Sequence, residues 1–267
     1  WMAHTAISTP HDFEFSQRFA RGGIGQAGVE LTQQNTFEAW MDDWLWLSDS
    51  MAPFPGVLAA STDTHRFRLM LNASDDWVLQ GKDGFSRKSN FDQASYYYSQ
   101  PSIDIAGTIW VDDEPVEVVG QGWLDREWSS QPLADNQAGW DWVSLHLSDG
   151  SAFMVYQLRH DSGEHYISGS WVSESGEVTV LEAGDVTMTP QSVTRLTITS
   201  AVGGREKSSI KAIPLDWRVQ APKLGIDISV TTDRPQSWLA TIFPYWEGPV
   251  VVQGSHQGVG YLELTGY

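Results

Sequence analysis

Residues 123–127 of the 267-residue chain read Trp-Leu-Asp-Arg-Glu, between Gly120-Gln121-Gly122 and Trp128. On a strand, Trp123, Asp125 and Glu127 project to one side, and Leu124, Arg126 and Trp128 to the other. Desolvation beside an indole and repulsion from a second carboxylate both disfavour the anionic form of a carboxyl group. Asp125 so placed is expected to stay protonated near neutral pH and to act as a general acid, with Glu127 as its companion carboxylate. The competing use of the same residues is an ion-pair network of Asp125, Arg126 and Glu127 at a domain junction.

Several aromatic residues could wall a cavity around such an acid. They are Trp140 and Trp142 in Gly-Trp-Asp-Trp, Tyr97 and Tyr98 in a Tyr-Tyr-Tyr run, and Tyr245 ahead of Trp246-Glu247. Along one strand Trp140, Trp142, Ser144 and His146 share a face, and Asp141, Val143, Leu145 and Leu147 share the other. Trp140 and Trp142 line a ligand pocket, or one of them fills a core. Tyr97 and Tyr98 alternate, so one of the two points inward. Asp141 caps a turn or pairs with Arg126. Glu247 balances a buried Arg or sits at a rim. His4 is a candidate proton relay, against the ordinary reading of a satisfied structural histidine.

Other chemistries are excluded or unsupported. The chain has no Cys, hence no thiol nucleophile, thiolate metal site or disulfide. Its seven His fall into no His-x-His or His-Glu-x-x-His spacing, so no metal site is expected. No Gly-x-Ser-x-Gly elbow occurs, and no cofactor is expected. Gly23-Ile24-Gly25-Gln26-Ala27-Gly28 matches the dinucleotide pattern only formally, because no helix is expected to follow it. A net charge of −18, from 34 acidic and 16 basic residues, makes nucleic acid an improbable partner. No run approaches the roughly 20 apolar residues of a membrane span. The chain opens on Trp1-Met2-Ala3-His4 as if inside a strand, with no signal peptide, so an upstream segment is expected.

The elements that must position these groups read as strands. Hydrophobic residues make up 41% of the chain, with 14 Trp, 8 Tyr and 10 Phe, which suits sheets with real cores. Strands are expected over 1–8, 13–19, 40–47, 67–71, from 96, 103–110 and 116–119. A hairpin turn is expected at Asp112-Asp113-Glu114-Pro115, and a long loop over 79–95. A second series covers 142–147, 153–159, 168–172, 178–181, 186–189, 215–219, 226–230, 238–243, 250–253 and 260–265. Such spacing belongs to sandwiches and barrels. Gly120-Gln-Gly-Trp-Leu-Asp125 is echoed by Gly258-Val-Gly-Tyr-Leu-Glu263, each after a Val-rich run. The echo predicts two similar units, 1–130 and 139–267, joined near 128–138.

Taken together, Gly-Trp-Leu-Asp-Arg-Glu-Trp, Gly-Trp-Asp-Trp, Met-Val-Tyr-Gln-Leu-Arg at 154–159, Tyr-Trp-Glu-Gly at 245–248 and the ending at 260–267 resemble the AttH and carotenoid 1,2-hydratase (hydroxyneurosporene synthase) family. Its members are tandem lipocalin-like proteins, often labelled secreted hydrolases. The resemblance implies an all-β fold of two tandem lipocalin-like (calycin) antiparallel β-barrels, and a periplasmic or secreted location. It also implies an isoprenoid- or carotenoid-like hydrophobic ligand. By the same resemblance Asp125 protonates an alkene, aromatic rings face the resulting carbocation, and water adds. The activity would be that of a hydratase-like lyase; the residues do not support the hydrolase label. The alternative is a non-catalytic carrier of a lipophilic ligand, tied to export or transport. Two departures stand out. The family's early Glu-Trp-Trp-Tyr strand and hairpin are missing from the first unit, and Trp123 stands where the carotenoid hydratases carry Tyr two residues before the Asp.

Overall fold

The structure is a computed structural model that describes residues 1–73, 76–90, 93–130, 133–202 and 205–267, without the side chains of 199–207. The described residues form antiparallel strands, with only two 3-10 turns, Gly22–Ile24 and Pro222–Leu224, and no α-helix. This is the expected all-β, lipocalin-like fold. By contacts the chain separates into two compact units, 1–76 with 100–124 and 77–99 with 125–267.

In the first unit Met2–Ser8 and Phe13–Phe19 pair as a separate hairpin. The remaining strands follow one another in sequence order across a sheet, from Ala27–Leu31 through Phe37–Met41, Trp44–Ser48, Gly56–Ser61 and His65–Ala73. Residues 100–111 and 114–124 of the long strands Ala94–Val111 and Glu114–Trp128 complete it. Asp112 and Asp113 turn the expected hairpin, both in the left-handed region at φ 51° and 64°, as a two-residue turn requires.

The pattern predicts one strand over 40–47, but the chain folds back at Asp42 (φ 53°) and Asp43, so the Trp-rich run is two paired strands. Ala27–Leu31 and Gly56–Ser61 are strands that the Gly- and Pro-rich flanks conceal. Gly23 to Gly28 is a 3-10 turn running into a strand, with no helix after it.

The second unit is built on one sheet in the order Val178–Leu181, His165–Val172, Ala152–His160, Gln137–Leu147, Gly258–Thr265, Tyr245–Gly254, Ile226–Thr231, Arg205–Ala221, Thr187–Val202. Strict alternation gives this sheet one apolar face, and the sheet curls around it. Val143, Leu145, Phe153, Val155, Trp217, Val219, Ile228, Val230, Trp246, Leu262 and Leu264 meet there, each at most 1% exposed. Burying each such side chain contributes about 2 kcal/mol. The interior is therefore filled by the protein's own side chains.

Segment 77–99, of which 79–95 is expected as a long loop, holds the short strands Val78–Leu79 and Phe85–Arg87, which pair with the start of Ala94–Val111. Strand 238–243 is confined to Trp238–Leu239.

The two echoed Gly-x-Gly runs share a physical cause. A Cβ on Gly122 would stand 2.6 Å from Ile105 Cδ1, and one on Gly260 would stand 2.6 Å from Leu145 Cδ2. In each unit the bare backbone lets a large apolar side chain of the neighbouring strand lie across the closing strand.

Candidate functional site

The face of the second unit's sheet opposite its apolar core holds most of the candidate residues. Register places Ser168, Tyr156, Trp142, Glu263 and Glu247 side by side across five strands, and directly opposed residues share a face. The row one step along holds Ser170, Met154, Ser144, Tyr261 and Pro249. Trp140 and Tyr245 lie on the other side of the central row. The indoles of Trp140 and Trp142 therefore leave the core to Val143 and Leu145.

Segment 77–99 is hydrogen-bonded to this face. The Tyr156 hydroxyl lies 2.9 Å from Ser86 Oγ and donates to the Arg87 carbonyl at 3.0 Å. Gln137 Nε2 donates to the Lys88 carbonyl at 2.8 Å.

Asp125 sits in this setting, half-buried. The Tyr97 hydroxyl donates to Oδ2 at 2.6 Å and the Ser99 hydroxyl donates to Oδ1. Each hydroxyl is itself held by an N–H donor. Trp142 Nε1 donates to the Tyr97 oxygen at 3.1 Å, and Gln80 Nε2 donates to the Ser99 oxygen at 2.9 Å. Two short relays thus converge on the carboxyl, and both deliver hydrogens to it. That is the pattern of an acceptor-only carboxylate. Tyr97 is fully enclosed, and burial first, then the Asp125 charge, pushes its hydroxyl far above the usual tyrosine range. It remains a donor throughout the ordinary pH range.

Glu127 pairs with Lys88, Nζ to Oε1 at 2.7 Å, and not with Arg126, so the network expected of Asp125, Arg126 and Glu127 takes a different partner. The Lys88 ammonium is buried and lies over the rings of Tyr97 (4.7 Å) and Tyr156 (4.2 Å). Desolvation lowers its pKa, and Glu127 acts against that shift.

Glu263 accepts from Trp140 Nε1 at 2.9 Å. Burial, then the facing Glu247, pushes its carboxyl up to about 8. Glu247 is raised to about 7 by burial. Burial also raises Tyr245 and Tyr261 beside them, with the Glu247 charge the next cause in both. Among the described residues no Arg pairs with Glu247, whose hydrogen-bonding neighbour is Tyr245.

The remaining expected residues are dispersed. Tyr98 points away from Tyr97 and packs edge-on against Trp77 at 5.1 Å and Trp128 at 5.9 Å. Trp123 is half-buried, two residues before Asp125 on the same strand, and by contacts counts with the first unit. His4 lies in the first unit's hairpin opposite Gln17, its pKa lowered by burial. Asp141, fully buried on the core face, pairs with Arg159 rather than Arg126, and accepts from Gln157 Nε2 (2.8 Å) and the Tyr267 hydroxyl (2.8 Å).

Gln80 and Lys88 carried no motif and fall in the stretch expected as a loop, whereas Ser99 closes the Tyr96-Tyr97-Tyr98-Ser99 run that shares in the family resemblance. Glu263 carried a signal, because it is the echo of Asp125. Among the described residues no cluster of three or more His, Cys, Asp or Glu could hold a metal. No described helix is long and apolar enough to cross a membrane.

A family model described as AttH-like matches residues 1–267. No curated protein matches the chain. The crystal structure of an AttH candidate from Nitrosomonas europaea superposes with a TM-score of 0.86 at 32% identity, covering 100% of this chain and 80% of that one. Kievitone hydratase from Nectria haematococca superposes with a TM-score of 0.70 at 16% identity, over 99% of this chain and 79% of its own, and shares the fold.

Proposed function

We propose, from the premise that this chain belongs to the AttH-like family, that it is a hydratase-like enzyme adding water to a carbon–carbon double bond of a hydrophobic, isoprenoid-like small molecule. The observation that carries this reading is the Asp125 carboxylate, gripped by the hydroxyls of Tyr97 and Ser99, with Tyr97 in turn held by Trp142 on a sheet face that also bears Tyr156 and Trp140. Aromatic rings stabilise a developing carbocation, and a fixed anion nearby does so more strongly in a setting of low dielectric. An acceptor-only carboxylate is also placed to take the proton that an adding water must lose. Asp125 is thus given the role of base and electrostatic stabiliser, in place of the acid expected from its neighbours in sequence. Kievitone hydratase, a protein of the same fold, is compatible with such chemistry on this architecture.

The carrier alternative finds less support in the second unit, whose interior is filled by Trp217, Trp246, Phe153 and their neighbours. The test is incubation with a panel of terpenoid and prenylated-phenol alkenes in oxygen-labelled water. A product carrying one labelled hydroxyl, formed by the wild type and lost in Asp125→Asn with unchanged circular dichroism, is expected. Full turnover by Asp125→Asn rejects the assignment of Asp125. No product from any alkene, together with a lipid that co-purifies in stoichiometric amount, favours the carrier.

A further inference from the structure

Hydration needs an acid as well as a base, and Asp125, receiving two hydrogens, is poorly placed to give one. The sheet face that carries Trp142, the donor to Tyr97, holds two other carboxyls. Glu247 and Glu263 stand directly opposite each other on adjacent antiparallel strands, a placement that sets their Cβ atoms about 5 Å apart. Neither forms an ion pair among the described residues. The titratable groups that act on them are tyrosines and acids. Tyr245 lies on the strand of Glu247 and Tyr261 on that of Glu263, and Asp125 and Glu127 both act on Glu263 through their charge. The nearby cation, Lys88, is already engaged by Glu127. Two facing carboxyls without a cation cannot both ionise cheaply, so the pair holds a proton. Glu263 is tied into the Asp125 site through the sheet: the residue opposite it is Trp142, whose indole N–H supports Tyr97. Its own orientation is set by the Trp140 indole.

We infer that Glu263, sharing one proton with Glu247, is the acid that protonates the alkene, while Asp125 receives the proton released by the adding water. This rests on the hydration reading above. In the step, the Glu263 O–H bond breaks and its proton joins the less substituted alkene carbon, using the π pair. The more substituted carbon becomes cationic and bonds to the oxygen of water. The surplus proton passes to Asp125 and returns through solvent to the Glu247–Glu263 pair. The net change is alkene plus water to alcohol. Division of the roles between two separate carboxyl sites lets one group be protonated while the other is not, since each is set by its own surroundings.

Two measurements test it. Infrared spectra of the wild type near pH 6 should show the carbonyl stretch of a protonated carboxyl that fades as pH rises through about 8 and is missing in Glu263→Gln. Its absence from the wild type overturns the inference. With any alkene that the wild type hydrates, Glu263→Gln should lose about a hundredfold or more in turnover. Asp125→Asn should lose turnover yet keep the infrared band. Undiminished turnover in Glu263→Gln removes the acid role and leaves the hydratase reading standing. Failure of the wild type to hydrate any alkene defeats both, and the infrared band alone does not restore the donor role.

Discussion

Replacing Glu263 by Gln should change the pH dependence of stability in a way that no general surface effect reproduces. The carboxyl titrates at about 8 in the folded protein, against an ordinary value of 4.5. With the folded value above the unfolded one, the protonated side chain supports the fold fully below about pH 4.5, and that support is lost as pH rises through about 8. Each unit of separation is worth about 1.4 kcal/mol, which puts an upper bound of about 5 kcal/mol on the loss. The side chain is only partly shielded from water and shares its proton with Glu247, so the realised figure is about 2–3 kcal/mol. Gln keeps an oxygen for the Trp140 indole and never ionises. Urea unfolding followed by tryptophan fluorescence should therefore give equal stabilities near pH 4 and a variant more stable by about 2–3 kcal/mol near pH 9. Comparison at each pH cancels the background of the other acidic residues. Stability curves that run parallel between those limits would refute the burial argument for this residue.

Three further outcomes follow from particular contacts. Asp141→Ala strands the Arg159 guanidinium in the core face and should cost about 3–5 kcal/mol in urea unfolding; a loss under about 1 kcal/mol would mean that water replaces the carboxylate. Tyr97→Phe removes one donor from Asp125 and the acceptor of Trp142 Nε1. It should destabilise by about 1–3 kcal/mol and lower turnover of any alkene that proves to be a substrate; unchanged kinetics would argue that the relay does not matter to chemistry. Trp246→Ala empties the centre of the second unit's core, where the side chain is fully buried, and should cost about 3–5 kcal/mol, read as a drop in Tm by differential scanning calorimetry.

Strands with strict alternation were legible from residue types: Val178–Leu181 and Ile226–Thr231 fall where period-two patterning puts them. So was the hairpin at Asp112-Asp113, whose turn residues tolerate positive φ. The turn at Asp42-Asp43 carried the same signal, but Trp40, Trp44 and Trp46 around it read as one apolar run. The separation of Trp142 from Asp141 onto opposite faces was also legible, because it needs only alternation. What Asp125 touches was not. Its partners Tyr97 and Ser99 lie 28 and 26 residues earlier in the chain, and Lys88 and Gln80 come from a polar stretch without periodicity. Local neighbours suggested an acid beside an indole and a carboxylate; the folded neighbours are hydroxyl donors, and on them rests the proposal of a base. Glu263 could have been found by taking the echo of Gly120–Asp125 literally and asking what the second carboxylate was for.

The filled interior of the second unit has a practical consequence. Along Trp140–Leu147, Tyr245–Gly254 and Gly258–Thr265, every other residue belongs to the packed side and its neighbour to the opposite face. Randomising positions 140, 142, 245, 247, 261 and 263 would therefore vary the face on which hydration is proposed while keeping the packed apolar side chains as they are, so that any change of activity is read against a constant core.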